Sequence, residues 1–156
     1  MTTFEIDEVQ SQHAAVVRGQ MRVEEIPDFF GRAFGAVMEA LVTQGIDAAG
    51  PPMAYYPAMP DEEMFDVEAG FPTAVAIEPV GDVVPLVLPH GRVARGVHVG
   101  PYDTLTDTYD QLFAWLAERG ESPCEQMWEC YLSDPSVESD PAVWRTEVVW
   151  LLHDAH

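Results

Sequence analysis

The sequence contains no lysine and no asparagine, and its seven basic residues are all arginine. Against them stand 27 acidic residues, which give a formal net charge of −20 at pH 7. Nucleic-acid backbones are bound by clustered Lys and Arg, so direct binding of DNA or RNA is not expected. Such a surface instead attracts cationic ligands or a basic protein partner. A GC-rich gene or adaptation to salt explains the same composition without any function.

Cysteine is also scarce, because Cys124 and Cys130 are the only two and no CxxC or Cys/His cluster surrounds them. The five histidines are scattered and form no set of metal ligands. The sequence therefore predicts no disulfide framework, no metal site and no cofactor, and a reduced cytoplasmic setting is the default.

Long hydrophobic runs are missing as well, since no stretch of about 18 apolar residues occurs and no basic segment followed by an apolar one opens the chain. Neither membrane spanning nor secretion by a standard signal is expected. The G-x-S-x-G elbow, the P-loop and the Rossmann glycine pattern are absent too. Triad hydrolysis, nucleotide hydrolysis and dinucleotide chemistry therefore lack support.

What the sequence does contain is a duplication. Residues 34–45 (FGAVMEALVTQG) and 109–120 (YDQLFAWLAERG) repeat the same apolar positions with the spacing of one buried helix face. Each copy ends in a glycine, Gly45 or Gly120, at the position where helices commonly adopt a left-handed C-cap. Similar echoes upstream and downstream extend the repeat, which indicates two copies of one unit within a single domain of residues 1–156.

Strand patterns flank both helices and predict a strand-helix-strand-strand unit in each half, about residues 1–80 and 81–156. The predicted strands of the first half are 4–9, 13–21, 53–56, 64–67 and 73–77. Those of the second half are 83–88, 93–99, 125–132 and 146–152. The fold class is therefore α+β, with pseudo-two-fold symmetry, antiparallel sheets, both helices on one side and a central ligand groove.

The strand at 125–132 carries the first candidate for chemistry. Alternation places Met127, Glu129 and Tyr131 on one face, so that a lone carboxylate lies between Met and Tyr. At the repeat offset of 74, the mate of Glu129 is Tyr55. A buried carboxylate among aromatic rings can hold a cation or act as a general acid or base. An exposed glutamate at a sheet edge is an equally good interpretation of the pattern.

Other positions are more ambiguous. Glu147 in the last strand is a second acid near the groove, or a solvated strand end, and Trp150 on the same strand lines the groove or fills it. Tyr102, after Gly100-Pro101, is either a pocket lip or a turn residue. Tyr109 and Trp115 on the second helix are expected in the core.

The second half resembles the GyrI-like family, the effector-binding domains of many AraC-type and MerR-type transcription regulators. The match covers nearly the whole chain, and its recognisable motifs form an ordered set in the second half. These are Gly91-Arg92-Val93-Ala94, His98-Val99-Gly100-Pro101-Tyr102, Leu105 to Leu116, Gly120, Glu129-Cys130-Tyr131, Asp134-Pro135 and Thr146-Glu147.

The resemblance implies a groove that binds small, often cationic or amphipathic molecules through a buried glutamate and aromatic residues. The family's E-x-Y pair falls on Glu129 and Tyr131, and its pocket positions fall on Tyr55, Tyr102 and Glu147. No helix-turn-helix segment accompanies these motifs, so regulation by direct DNA contact is not expected.

Three functions follow from the resemblance. The first is a small-molecule-binding protein with Glu129 as anchor and Tyr55, Tyr102, Tyr131, Met127, Glu147 and Trp150 as the remaining ligand-binding residues. The second is a hydrolase of strained electrophiles in which Glu129 and Tyr131 activate water. The third is an acidic inhibitor of a basic, DNA-handling protein such as gyrase. The sequence indicates neither the ligand nor the oligomeric state.

Overall fold

The computed structural model describes residues 3–57, 64–101, 104–132 and 140–153. Eight antiparallel strands and two α-helices make up this part of the chain, and the predicted α+β class is confirmed. The strands are β1 (Phe4–Val9), β2 (Gln12–Met21), β3 (Met53–Tyr56), β4 (Phe65–Pro72), β5 (Val83–Leu88), β6 (Gly91–Val99), β7 (Pro123–Tyr131) and β8 (Arg145–Leu152). The helices are α1 (Ile26–Gln44) and α2 (Leu105–Arg119).

The chain forms two compact units. One consists of Met1–Val9 with Gly91–His156, and the other of Gln10–His90. Their boundaries differ from the sequence halves 1–80 and 81–156, because β1 pairs with β6 and β5 pairs with β2. A repeat in sequence identifies similar segments, but it does not determine which strand closes each sheet.

In the unit of residues 10–90 the strands are ordered β3-β4-β2-β5. Helix α1 packs on this sheet through buried Val37, Ala40 and Leu41, which meet Ala15 and Val83. The helix ends at Gly45, whose φ of 68° is left-handed and whose N–H bonds back to the last turn. Both the helix and its glycine C-cap were predicted from the repeat, and both are confirmed.

Strand β4 corrects the prediction of two short strands at 64–67 and 73–77. One strand runs from Phe65 through Gly70 to Pro72, and the segment after Thr73 is not a strand. Glycine is unfavourable inside strands, so local rules end a strand before Gly70. Here Gly70 is a mid-strand position where the backbone of β2 comes very close, so only a residue without a Cβ fits.

In the unit of residues 1–9 and 91–156 the order is β1-β6-β8-β7. Helix α2 buries Thr108, Leu112 and Leu116, and it ends at Gly120 with a φ of 70°, again as predicted. The register pairs His98 with Thr146 and Thr146 with Tyr131. Because directly paired residues share a face, these residues lie on the same side of the sheet as Glu129, which is the side that α2 covers.

Candidate functional site

Glu129 lies two residues before the end of β7 and is buried, with 7% of its surface exposed. Both carboxylate oxygens accept a hydrogen bond from a tyrosine. The hydroxyl of Tyr131, two residues further along the same face, donates to Oε1 at 2.7 Å. The hydroxyl of Tyr109, which reaches down from α2, donates to Oε2. The carboxylate is therefore held from the strand and from the helix at once.

Burial raises the pKa of the Glu129 carboxyl, because the charged form loses its contact with water. The Tyr109 and Tyr131 hydroxyls and the nearby His98 ring act in the opposite direction and lower this pKa. Two hydrogen bonds do not replace a full hydration shell, so a further positive partner would stabilise the ionised form. The site is therefore suited to receive either a cation or a proton.

An aromatic cluster lies next to Tyr109 on the face covered by α2. The ring centroid of Trp150 lies 5.8 Å from that of Tyr109 and 4.9 Å from that of Phe113, with both pairs edge to face. The indole Nε1 of Trp150 donates to the carbonyl oxygen of Cys124 at 2.7 Å, which fixes the orientation of the ring. Phe113 remains 37% exposed, so one side of this cluster faces solvent.

His98 completes the polar part of the same face. It is 4% exposed, and its Nδ1 lies 2.6 Å from the hydroxyl oxygen of Thr108 on α2. Its Nε2 lies 3.0 Å from the carbonyl oxygen of Pro101 and 3.0 Å from the hydroxyl oxygen of Thr104. The hydroxyl of Thr146, on the strand between His98 and Tyr131, is fully buried and has no hydrogen-bond partner among the described residues.

The structure brings four of the predicted site residues to one face. Glu129 and Tyr131 share a hydrogen bond, and Met127 lies two residues before Glu129 on the same strand. Met127 is paired directly with Trp150 in the register of β7 with β8. Alternation along the strand is the reason for this grouping, since every second side chain points to the same side.

Glu147 lies on the opposite face. It is paired in register with Cys130 and forms an ion pair with Arg95 at 3.3 Å, and Arg95 also contacts Asp7 at 2.7 Å. Because Cys130 and Glu129 are consecutive in the strand, the Glu147 side chain points away from the Glu129 carboxylate. The structure therefore does not support the expectation of a second acid beside Glu129.

Tyr55 belongs to the unit of residues 10–90, where it is paired in register with Glu68 and buried to 8% exposure. Glu68 is paired in turn with Arg18, on the face away from α1. Burial raises the pKa of the Tyr55 hydroxyl, and the charge of Glu68 adds to this effect. Glu129 instead lies on the helix-covered face of its sheet, so Tyr55 and Glu129 are not equivalent by face.

Tyr102 lies outside the described residues, as does Asp134-Pro135 of the family motif. The part of Tyr102 in ligand binding, like that of Tyr55, therefore remains a prediction.

Tyr109, Phe113 and His98 were missed by sequence reasoning. Tyr109 was expected in the core, but Leu112 and Leu116 form the buried stripe of α2 and Tyr109 is half-buried beside it. Trp115, also expected in the core, is half-buried under Phe4 at 5.8 Å and Arg119 at 4.3 Å. The one available indication was the i, i+4 spacing of Tyr109 and Phe113, which defines a second stripe next to the leucines.

The thiols do not contribute a reactive group to this face. Cys124 and Cys130 form no disulfide with each other, and burial raises the pKa of the Cys130 thiol to about 12, with Glu147 adding to the effect. Within the described ranges, no cluster of three or more His, Cys, Asp or Glu side chains has metal-binding geometry. Neither helix is long and apolar enough to cross a membrane.

The model of the GyrI-like small molecule binding domain family matches residues 2–153. No curated protein sequence matches significantly.

Among solved structures, the chain is similar to the C-terminal domain of EcmrR, with a TM-score of 0.85 and 18% identity over 99% of both chains. It is similar to a hydrolase encoded by lin2189 of Listeria innocua, with a TM-score of 0.67 and 13% identity over 96% of this chain and 91% of the other. It is also similar to SAV2435 bound to tetraphenylphosphonium, with a TM-score of 0.66 and 8% identity over 97% and 94%. At these identities the structural likeness shows a shared fold.

Proposed function

The chain belongs to the GyrI-like small-molecule-binding domain family, and on that premise we propose that it binds hydrophobic cations, with the buried carboxylate of Glu129 as the charged anchor. Tyr109, Tyr131, Phe113 and Trp150 form the aromatic surroundings of the ligand. The observation that carries this proposal is the Glu129 carboxylate itself, buried, raised in pKa and held only by neutral tyrosine hydroxyls among the contacts described for it.

The physical argument concerns the cost of the buried charge. A carboxylate removed from water is expensive unless it is paired. Neutral hydroxyls reduce this cost but leave the negative charge in place, so an entering cation gains from it in a medium of low dielectric constant. The ring faces nearby add a cation–π attraction of about 0.5–2 kcal/mol each. A ligand with a spread, weakly hydrated charge loses little on leaving water and therefore suits this site best.

Among the described residues, the aromatic cluster of Tyr109, Phe113 and Trp150 limits the size and shape of the ligand. The partly exposed Phe113 marks the side from which solvent reaches the rings. The likeness to SAV2435, a protein described as bound to tetraphenylphosphonium, supports the choice of that cation as a first probe.

Titration of the protein with tetraphenylphosphonium tests the proposal, with affinity measured by calorimetry or by quenching of tryptophan fluorescence. We expect Glu129→Gln to weaken binding by roughly 30-fold, since losing a buried charge partner costs about 2 kcal/mol or more. Triphenylphosphine oxide, a neutral molecule with similar rings, is expected to bind the wild type and Glu129→Gln with affinities that differ by less than about threefold.

Glu125→Gln is the matched control, because Glu125 lies on the same strand but is exposed. It removes the same charge from the protein, and screening by solvent keeps its effect small. Equal affinity of Glu129→Gln and the wild type for the phosphonium would refute the proposal. So would an equal loss in both variants, which would assign the effect to net charge.

A hydrolase is the second candidate, because the same observation of a buried carboxyl with a raised pKa suits a general base close to neutral pH. Tyr131, whose hydroxyl lies 2.7 Å from the carboxylate, would then orient the water or the leaving oxygen. The likeness to a Listeria innocua hydrolase adds fold-level support.

Turnover separates the two functions. With styrene oxide in 100-fold excess over protein, the binding proposal predicts consumption of at most one equivalent. Sustained hydrolysis that Glu129→Gln abolishes and Glu125→Gln retains would establish the enzyme instead.

A further inference from the structure

The ring of His98 connects the sheet to the beginning of α2. His98 lies on β6, and its three hydrogen-bond partners are Pro101 in the following turn, Thr104 at the start of the helix and Thr108 one turn later. All three contacts measure between 2.6 and 3.0 Å. A single buried ring therefore fixes the turn and the first two turns of the helix.

Thr104 shows that these contacts replace an ordinary helix cap. It occupies the N-cap position of α2, where a threonine hydroxyl commonly accepts a hydrogen bond from a backbone N–H of the first turn. Its side chain makes no such bond here. The hydroxyl instead donates to the carbonyl oxygen of Pro101 at 2.8 Å and lies against Nε2 of His98. The start of α2 is thus held by the sheet below it.

The hydrogen-bond roles of the ring follow from its partners. The Pro101 carbonyl oxygen can only accept, so the Nε2 beside it carries the hydrogen. The hydroxyl of Thr108 can donate to an unprotonated Nδ1 or accept from a protonated one, so both ring nitrogens are satisfied in either form of the ring. The connection therefore requires an imidazole on β6 and a hydroxyl on the helix.

Thr108 immediately precedes Tyr109, and Tyr109 donates its hydroxyl to Glu129. Hydrogen bonds weaken steeply once the donor and acceptor move apart by more than a few tenths of an ångström. The axial position and the rotation of the first turns of α2 therefore determine whether this hydroxyl reaches the carboxylate. His98 acts on both this axial position and this rotation through its contacts with Thr104 and Thr108.

We propose that His98 is the positioning residue of the Glu129 site, because it holds α2 through Thr104 and Thr108 so that the Tyr109 hydroxyl stays on the carboxylate. The relevance of this role to ligand binding rests on the proposed function. The positioning itself does not, because the state of the Glu129 carboxylate can be followed without any ligand.

The experiment is a titration of the Glu129 carboxyl by NMR, with carbon-13 in the glutamate side chains and the Glu129 signal assigned from Glu129→Gln. Tyr109→Phe removes one hydrogen bond that stabilises the ionised form, so the pKa of Glu129 rises. We expect Thr108→Val, which is nearly the same size but lacks the hydroxyl, to raise this pKa as well. Thr108→Ser keeps the hydroxyl and is expected to titrate like the wild type.

A double-mutant cycle gives the decisive comparison, since coupling of two substitutions shows that they act through one contact. In the Tyr109→Phe background, Thr108→Val is expected to add no further shift. If tetraphenylphosphonium binds, Thr108→Val weakens its binding roughly fivefold, and only when the Tyr109 hydroxyl is present.

An unchanged titration in Thr108→Val overturns the proposal, and so does an equal shift with and without the Tyr109 hydroxyl. Thr104→Val, which removes the contact on the Nε2 side, decides the matter in the same way if Thr108→Val fails to fold. The NMR shifts can occur as expected while tetraphenylphosphonium fails to bind. That result would count against the proposed function and leave the positioning role of His98 established.

Discussion

Gly70→Ala is expected to destabilise the protein strongly. A Cβ placed on Gly70 would overlap the carbonyl oxygen of Ala15 and lie 2.9 Å from the Cα of Val16. Both atoms belong to the backbone of β2, which cannot move aside as a flexible side chain would. Strands β2 and β4 would have to separate along part of their ladder, at a cost of roughly 4 kcal/mol or more, out of a total of about 5–15.

Urea denaturation followed by circular dichroism measures this loss, and the melting temperature is expected to fall by about 8–16 °C. Gly35→Ala is the matched control, because no atom lies within 4 Å of a Cβ at this exposed position of α1. It is expected to stabilise the helix by up to about 1 kcal/mol. Equal stability of Gly70→Ala and the wild type would contradict the close approach of β2 and β4.

Glu129→Gln is expected to gain stability relative to the wild type as the pH rises. Burial raises the pKa of Glu129 in the folded protein, so the folded state holds this proton more tightly than the unfolded state. The contribution of Glu129 is therefore fully present below the unfolded pKa, whose ordinary value is 4.5, and is lost as the pH rises through the folded pKa. A glutamine does not titrate, so the variant avoids this loss, which is about 1.4 kcal/mol for each unit that the pKa is raised.

Free energies of unfolding for both proteins at pH 4.5 and pH 8 test this expectation. Contributions from all other titrating groups are the same in the two proteins and cancel in the comparison. The cost of rearranging the tyrosine hydroxyls around an amide does not depend on pH and cancels as well. The contrary outcome is that the free energies of unfolding of the variant and the wild type differ by the same amount at both pH values. That result would show that burial does not destabilise the ionised form of Glu129. The expected variant gains stability relative to the wild type toward neutral pH and binds cations poorly, which is the usual compromise at a binding site.

The part of the site that lies on one strand was predictable from the sequence. Alternation along β7 is sufficient to place Met127, Glu129 and Tyr131 on one face, because the side-chain period of a strand is two residues. The burial of Glu129 was not predictable in the same way, since an edge strand in water has the same pattern. Burial depends on α2, which covers this face and carries Tyr109.

Contacts between elements were the part that sequence could not provide. Tyr109 on α2 contacts Glu129 on β7, and His98 on β6 contacts Thr108 on α2. No spacing in the sequence predicts these contacts. Strand β8 carries side chains on both faces, and only its register with β7, which pairs Glu147 with Cys130, shows that Glu147 points away from Glu129. Tyr55 likewise lies on the face of its sheet away from α1.

The fold was predicted well at the level of the repeat and less well at its boundaries. Two helices with glycine caps were visible because their apolar spacing and terminal glycines are local features. The pairing of β1 with β6 and of β5 with β2 is a long-range property. The continuous strand β4 was missed because Gly70 is required by the approach of another strand, and local rules treat an interior glycine as a break.

The pairing of β1 also determines the order in which the protein can be completed during synthesis. Strand β1 is made before its partner β6, which begins only at Gly91, after the whole unit of residues 10–90. At about 5–20 residues per second, ribosomes need roughly 4–16 s to produce the intervening chain. Residues 10–90 are contiguous and can fold during that time, whereas β1 cannot pair with β6 until β6 has been synthesised. The acidic residues Glu5, Asp7 and Glu8 along β1 keep such a waiting strand in water and discourage its pairing with other nascent chains.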